Sequence, residues 1–247
     1  MELKVLGSVS PYCKGEENGV SYLVTSNKSN AKIVLDLGYG SSRMFNFPRD
    51  LKNMHVILSH LHGDHVADLS AICYAAQVYH LHGMLDEKLT IYVPKGYEDE
   101  YYFTIKTLYD EGWFEIVYYD ENDSLNIDGM NVTFQKSKHP VPAYSARITD
   151  SEKTIVYTGD CGYDEELIPF YNGADILLHD SGFLRENKVN DNHSTAFEAG
   201  VDAKKANAKK LVLTHFWQEI DSWEYVEEEK EVFENTFAAR TGKTFEA

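Results

Sequence analysis

The chain has 247 residues, 43% hydrophobic and 26% charged, with 23 Lys and Arg against 40 Asp and Glu for a net charge of -17. That composition suits one globular domain over residues 1–247 and excludes disordered and fibrous classes. The acidic surplus repels long polyanions unless a basic patch is built locally, so small substrates are expected and no long nucleic acid.

Met1 to Gly7 carry no basic stretch leading into an apolar run, and no later segment approaches the roughly 18 uninterrupted apolar residues of a membrane span. A cytoplasmic location and no membrane partner are therefore expected. Cys13, Cys73 and Cys161 are odd in number and lack any CxxC pairing, which predicts reduced thiols rather than a disulfide framework.

Taken in chain order, apolar and β-branched runs at Lys4–Gly7, Ser21–Thr25, Lys32–Leu37 and His55–Ser59 predict short strands separated by turn clusters such as Lys14–Gly19. From Asp64 to about His80, Val66, Leu69, Ile72, Cys73, Ala76 and Tyr79 recur at three- and four-residue intervals, a helical period. A further helix is predicted near Tyr97–Glu111. It falls within an aromatic-rich span, Tyr92–Tyr119, that reads as a buried helix face, a lid or a dimer surface. Strands follow at Asn131–Ser137, Tyr144–Ile148, Thr154–Thr158, Asp175–His179 and Lys210–Thr214. Helices are predicted near Asp164–Tyr171, Ser194–Asn207 and Trp223–Arg240, the last with Glu227, Glu228 and Glu229 on a solvated face. Two β-rich halves with interspersed helices suit two packed sheets covered outside by helices.

The strongest chemical signal is His60-Leu61-His62-Gly63-Asp64-His65, entered from the run His55–Ser59. On extended backbone His60 and His62 point to the same side, because side chains alternate with period two, while Asp64 and His65 lie where the chain turns into a helix. A lone HxH is commonly an exposed loop. Here His139, Asp160 and His215 each follow a strand-like run elsewhere, so complementary ligands are available at strand ends.

These residues resemble the metallo-β-lactamase superfamily, whose HxHxDH signature His60 to His65 match in full. The family's other landmarks follow in order: Asp36 and Gly38 in Leu35-Asp36-Leu37-Gly38, then His139, Asp160 and His215. The resemblance implies an α/β (α+β) fold, a four-layer αββα sandwich. It implies two metal ions, the first on His60, His62 and His139, the second on Asp64, His65 and His215, with Asp160 bridging and Asp36 in support. Zn²⁺ suits five histidines and two carboxylates, with Mn²⁺ or Fe as alternatives. Flavodiiron relatives place Glu where His62 stands, which favours hydrolysis over oxygen reduction.

Within the superfamily the chain is most similar to ribonuclease Z-like phosphodiesterases. Ala174–Ser181 is similar to their strand ending in His-Glu-Ala-Thr, and Asn192-His193-Ser194-Thr195 matches their His-Ser-Thr. By position His193 would be the general acid and Asp180 its orienting partner, although Asp is one methylene shorter than the family's Glu. A structural alternative makes His193 a surface residue beside a cap formed by Ser194 or Thr195. His179 reads as a supporting or core histidine. His55, His80 and His82 read as having no catalytic task, and Tyr144 and Arg147 as pocket lining or packing.

Only twenty-one positions separate His139 from Asp160, so the basic arm with which tRNA-processing relatives grip tRNA is missing. The expected substrate is therefore a small anionic phosphodiester such as a cyclic nucleotide, with Asp64 contributing to catalysis. A lactone, thioester or β-lactam hydrolase on the same site is the alternative. A tRNA 3′ endonuclease and a non-catalytic metal-binding module stand further off. A homodimer is a possible assembly, since similar phosphodiesterases are often dimers.

Overall fold

The computed structural model describes residues 1–29, 31–97 and 111–247. Its first sheet contains β1 (Glu2–Gly7), β3 (Ser21–Thr25), β4 (Lys32–Leu35), β5 (Met54–Ile57), β6 (Leu89–Pro94), β7 (Phe114–Tyr119) and, on its outer edge, β16 (Thr244–Glu246). The spatial order is β16-β1-β3-β4-β5-β6-β7. The second sheet is built from β8 (Ser124–Ile127), β9 (Met130–Lys136), β10 (Tyr144–Asp150), β11 (Thr154–Tyr157), β12 (Ile176–Asp180), β13 (Leu211–Thr214) and β15 (Thr236–Ala238), in the order β15-β13-β12-β11-β10-β9-β8. A short parallel ribbon of β2 (Val9–Ser10) and β14 (Phe216–Trp217) bridges the N-terminal region to the end of the second sheet.

Period-two alternation explains the layers. Along β4, Ile33 and Leu35 face the core between the sheets while Val34 faces outward, and along β5 the pair Val56 and Ile57 divides the same way. Both faces are covered, so these strands are apolar throughout. The outward cluster is closed by α2 (Leu69–Leu81), which presents Leu69, Ile72, Cys73 and Ala76 to Val34, Val56, Ile91 and Val93. On the far side α3 (Ile168–Tyr171), α4 (Ala196–Lys205) and α5 (Ser222–Glu229) cover the second sheet. The result is the αββα sandwich.

Three expectations change. The helical period from Asp64 to His80 is split into α1 (Gly63–Val66) and α2. The helix expected over Trp223–Arg240 stops at Glu229, and Thr236–Ala238 pairs parallel with Leu211–Leu213 instead. The open edge of β13 offers ladder hydrogen bonds that outweigh a weak local helical preference. In the aromatic-rich span, Tyr92 belongs to β6 and Phe114–Tyr119 form β7, while the helix expected near Tyr97–Glu111 falls almost entirely outside the described residues. Among the described residues no helix is long and apolar enough to cross a membrane.

Candidate metal centre

Strands β4 and β5 run parallel, as do β11, β12 and β13. Their C-terminal ends therefore share one edge of the sandwich. Asp36 follows β4, His60 follows β5, Asp160 follows β11, Asp180 ends β12, and His215 follows β13. The hairpin pairing of β9 with β10 and of β10 with β11 brings the C-terminal end of β9, and so His139, to the same edge. Loops beyond the carboxyl ends of parallel strands are where such sheets place ligands.

The chain leaves β5 extended through His62 (φ -64, ψ 148) and turns into α1 at once. Consequently His60 Nε2 and His62 Nδ1 converge to 3.0 Å, and His62 Nδ1 lies 3.2 Å from His139 Nε2. Asp160 Oδ2 stands 3.5 Å from His60 Nε2 and 3.9 Å from His139 Nε2. Its other oxygen, Oδ1, is 3.1 Å from both His65 Nε2 and His215 Nε2, and Asp64 Oδ2 lies 3.7 and 3.6 Å from those nitrogens.

A tetrahedral ion with bonds of about 2.0–2.1 Å holds neighbouring ligand atoms roughly 3.3–3.4 Å apart, and the distances around the two oxygens of Asp160, 3.1 to 3.9 Å, bracket that spacing. Three atoms of this cluster, His65 Nε2, His215 Nε2 and Asp160 Oδ1, are buried and, despite their mutual closeness, make no hydrogen bond of good geometry among the described residues. Buried polar atoms without a partner are costly unless something binds them. The donor set and its spacing fit metal ions.

The surrounding hydrogen bonds set the tautomers that ligation needs. Buried Asp36 accepts the Ser59 backbone N–H at 2.7 Å on Oδ1, and on Oδ2 the Ser59 hydroxyl at 2.7 Å, His65 Nδ1–H at 2.8 Å and the Tyr157 hydroxyl at 2.7 Å. With its proton given to Asp36, Ser59 Oγ accepts from His60 Nδ1–H at 3.0 Å. His139 Nδ1–H donates to the Asn192 carbonyl at 3.2 Å. His60, His65 and His139 thereby each turn an Nε2 lone pair toward the cluster, whereas His62 presents Nδ1. Asp36 (φ 56) and His215 (φ 63) hold left-handed backbone to do so. Gly159 (φ 59) precedes Asp160 where an added Cβ would meet Ser59 Cβ at 2.9 Å, so only glycine lets the loops approach.

Electrostatics follow from the crowding of carboxylates and rings. Burial alone would favour neutral Asp64 and Asp160, yet the adjoining histidines, His215 foremost, hold both below the usual carboxylate range. Burial likewise opposes charge on His65, but Asp160 and Asp36 outweigh it and lift its pKa to about 10. His60 goes the other way, because burial and the neighbouring rings disfavour its cation. The cluster attracts positive charge.

His193 stacks on His215 with ring centroids 4.8 Å apart. Its Nδ1–H donates to Asp180 Oδ2 at 2.9 Å, so the shorter Asp reaches. Asp180 is itself held by the amides of Cys161 on Oδ2 and Gly182 on Oδ1, each at 2.9 Å. The capping alternative is also realised, since Thr195 forms a capping box with Glu198 at the start of α4. The cap orients the segment carrying His193.

His179 is no ligand; it is buried behind the site, donating from Nδ1 to the Asp180 carbonyl at 2.7 Å with Nε2 3.2 Å from Asp202. Tyr144 packs on Tyr119, and Arg147 donates to the Phe170 carbonyl at 2.9 Å, so both serve packing. His55 lies beside Tyr92 and His80 beside Trp113, away from the cluster. Ser10, on β2, escaped the sequence reading. Its hydroxyl donates to Asp64 Oδ2 at 2.6 Å across 54 positions of chain, and no local pattern signals such a contact. Phe183 and Trp217 were missed as well; they line a cleft of about 540 Å³ over the cluster with His62, Asp64, His193 and His215.

The family described as "Beta-lactamase superfamily domain" matches residues 36–216. Over 217 residues the chain is 31% identical to the probable metallo-hydrolase YhfI of Bacillus subtilis, covering 87% of this chain and 86% of that protein. The crystal structure of YhfI, described as a metallo-beta-lactamase fold protein, aligns with a TM-score of 0.91 at 30% identity over 100% and 99% of the two chains. Similarity extends to the ribonuclease Z of Sulfolobus acidocaldarius, 25% identical over 257 residues with 83% and 86% coverage. Zn²⁺-bound PqqB from Methylobacterium extorquens, 15% identical, shares the fold with a TM-score of 0.81 over 100% of both chains.

Proposed function

This chain belongs to the β-lactamase superfamily and is a metallo-hydrolase of that fold, and from this premise we propose that it holds two zinc ions and cleaves small phosphodiesters. The observation that carries the diester reading is His193, fixed by Asp180 at 2.9 Å and lining the cleft beside the ligand cluster. Two bound ions would supply a water acidified toward neutrality and positive charge for the phosphoryl oxygens.

The protein's own contribution is positional. His60, His62 and His139 would hold one ion and Asp64, His65 and His215 the other, with Asp160 presenting a carboxylate oxygen to each group; Asp64 would also help position the water for attack. His193 donates a proton from Nε2 to the departing alkoxide, and Asp180 stabilises the imidazolium before transfer. The similarity to a ribonuclease Z supports phosphodiester chemistry. The net charge of -17 and the short loop between β9 and β10 favour a small anionic substrate over a long nucleic acid.

Leaving-group dependence tests the assignment. A 3′,5′-cyclic nucleotide expels an alkoxide that needs a proton, whereas bis(p-nitrophenyl) phosphate expels a stable phenolate. His193→Ala should lower kcat on the first by on the order of 10²-fold or more and affect the second far less. Turnover of a lactone or β-lactam, indifferent to His193 and unaccompanied by diester cleavage, would overturn the reading in favour of carbonyl hydrolysis.

A further inference from the structure

The cleft over the ligand cluster is asymmetric in its chemistry. Its polar floor consists of the cluster itself, while Pro11, Phe183, Val189 and Trp217 form an apolar flank. No Lys or Arg is among its described lining residues. Lys188, between the lining residues Asn187 and Val189, is tied to Glu198 at 2.8 Å and Asp191 at 3.2 Å. A polyphosphate or polynucleotide needs several cationic contacts, one for each phosphate it brings. Such a cleft suits a substrate whose single negative charge rests on the cluster and whose remainder is apolar.

The flank has a shape as well as a polarity. Trp217, 45% exposed, stands two residues beyond His215 on the ribbon with β2 and pairs with Ser10. Phe183 meets His193 edge-on at 5.8 Å, and Val189 is 79% exposed. Large apolar side chains left exposed together at a cleft mark a contact surface. At its rim Asn187 Oδ1 accepts the Leu184 amide and Asn190 Oδ1 accepts the Asn192 amide, and neither Nδ2 donates to another of the described residues. Aromatic faces combined with spare amide donors match a flat heterocycle bearing acceptors better than an alkyl chain. A volume of about 540 Å³ is in the range of small-ligand sites.

We infer that the substrate is a singly charged diester that carries an aromatic heterocycle, and that Trp217 is the surface on which that ring stacks. This rests on the phosphodiester reading. Two probes separate the claims: adenosine 3′,5′-cyclic phosphate, and ribose 3′,5′-cyclic phosphate, which presents the same diester without the base. With the zinc-loaded protein, kcat/KM should favour the base-bearing probe by on the order of 10- to 100-fold, the range of base–aromatic stacking. Trp217→Ala should collapse that ratio toward one chiefly through KM, and Trp217→Phe should retain most of it. Metal content and the far-ultraviolet spectrum check that both variants fold. Equal turnover of the two probes by the unmodified protein, or a ratio untouched by Trp217→Ala, would overturn the stacking role while leaving diester cleavage intact. Failure to cleave either probe, with a lactone turned over, overturns both.

Discussion

Replacing Asp36 by Asn keeps the shape of the side chain but removes its charge, and the donors around it permit no good rotamer. Oδ1 accepts one N–H and Oδ2 accepts three donors, from Ser59, His65 and Tyr157. With the amide nitrogen in the Oδ1 position, one buried N–H faces another, which costs about 1–3 kcal/mol. The three bonds on the remaining oxygen fall from charge-assisted to neutral, about 1 kcal/mol each. Relief from burying a carboxylate offsets part of this. The net expectation is a loss of about 3 kcal/mol in the chelator-treated protein, read from urea midpoints. Because His65 and His60 both take their tautomer from this carboxylate, metal affinity should fall about 10- to 100-fold, read by competition with a chromogenic chelator. A midpoint change worth less than about 1 kcal/mol, with unaltered affinity, would refute the claim that Asp36 organises the site.

Two other substitutions probe parts of the molecule that the chemistry does not advertise. Ser10→Ala removes the hydroxyl that donates to Asp64 Oδ2 and should weaken metal binding about tenfold without moving the urea midpoint; Ser10→Thr should restore it, and equal affinity in all three proteins would dismiss the contact. Glu229, expected on a solvated face, is instead fully buried at the end of α5 against Gly200, and burial lifts its pKa to about 7. The folded state thus keeps a proton that the unfolded chain releases near pH 4.5. Its stabilising contribution is present below that pH and is lost as pH rises through 7, by up to about 3 kcal/mol at 1.36 kcal/mol per unit. In chelator, Glu229→Gln should be the more stable protein at pH 8 and lose this part of the slope; parallel profiles for both proteins would refute it.

The residues that meet in the cluster can be named from the chain in two ways: His60 to His65 by their HxHxDH run, and His139, Asp160 and His215 by their places after strand-like runs together with the family resemblance. His60 and His62 share a face through period-two alternation, and Asp64 and His65 mark the turn into α1. Similarly, Asp180 and His193 stood out through the short motifs around them. What local pattern could not supply was anything depending on one segment meeting another. β16 pairs with β1 from the opposite end of the chain, Thr236–Ala238 takes the free edge of β13 instead of continuing a helix, and Ser10 reaches Asp64 only because β2 pairs with β14 beside His215. The cleft's apolar flank is of the same kind, with Pro11, Phe183, Val189 and Trp217 drawn from three separate stretches. Residue type and backbone period are properties that a short window of chain contains. Edge pairing, the support beneath a carboxylate and the wall of a cleft arise from the long-range packing of both sheets, where contact energy overrides local preference.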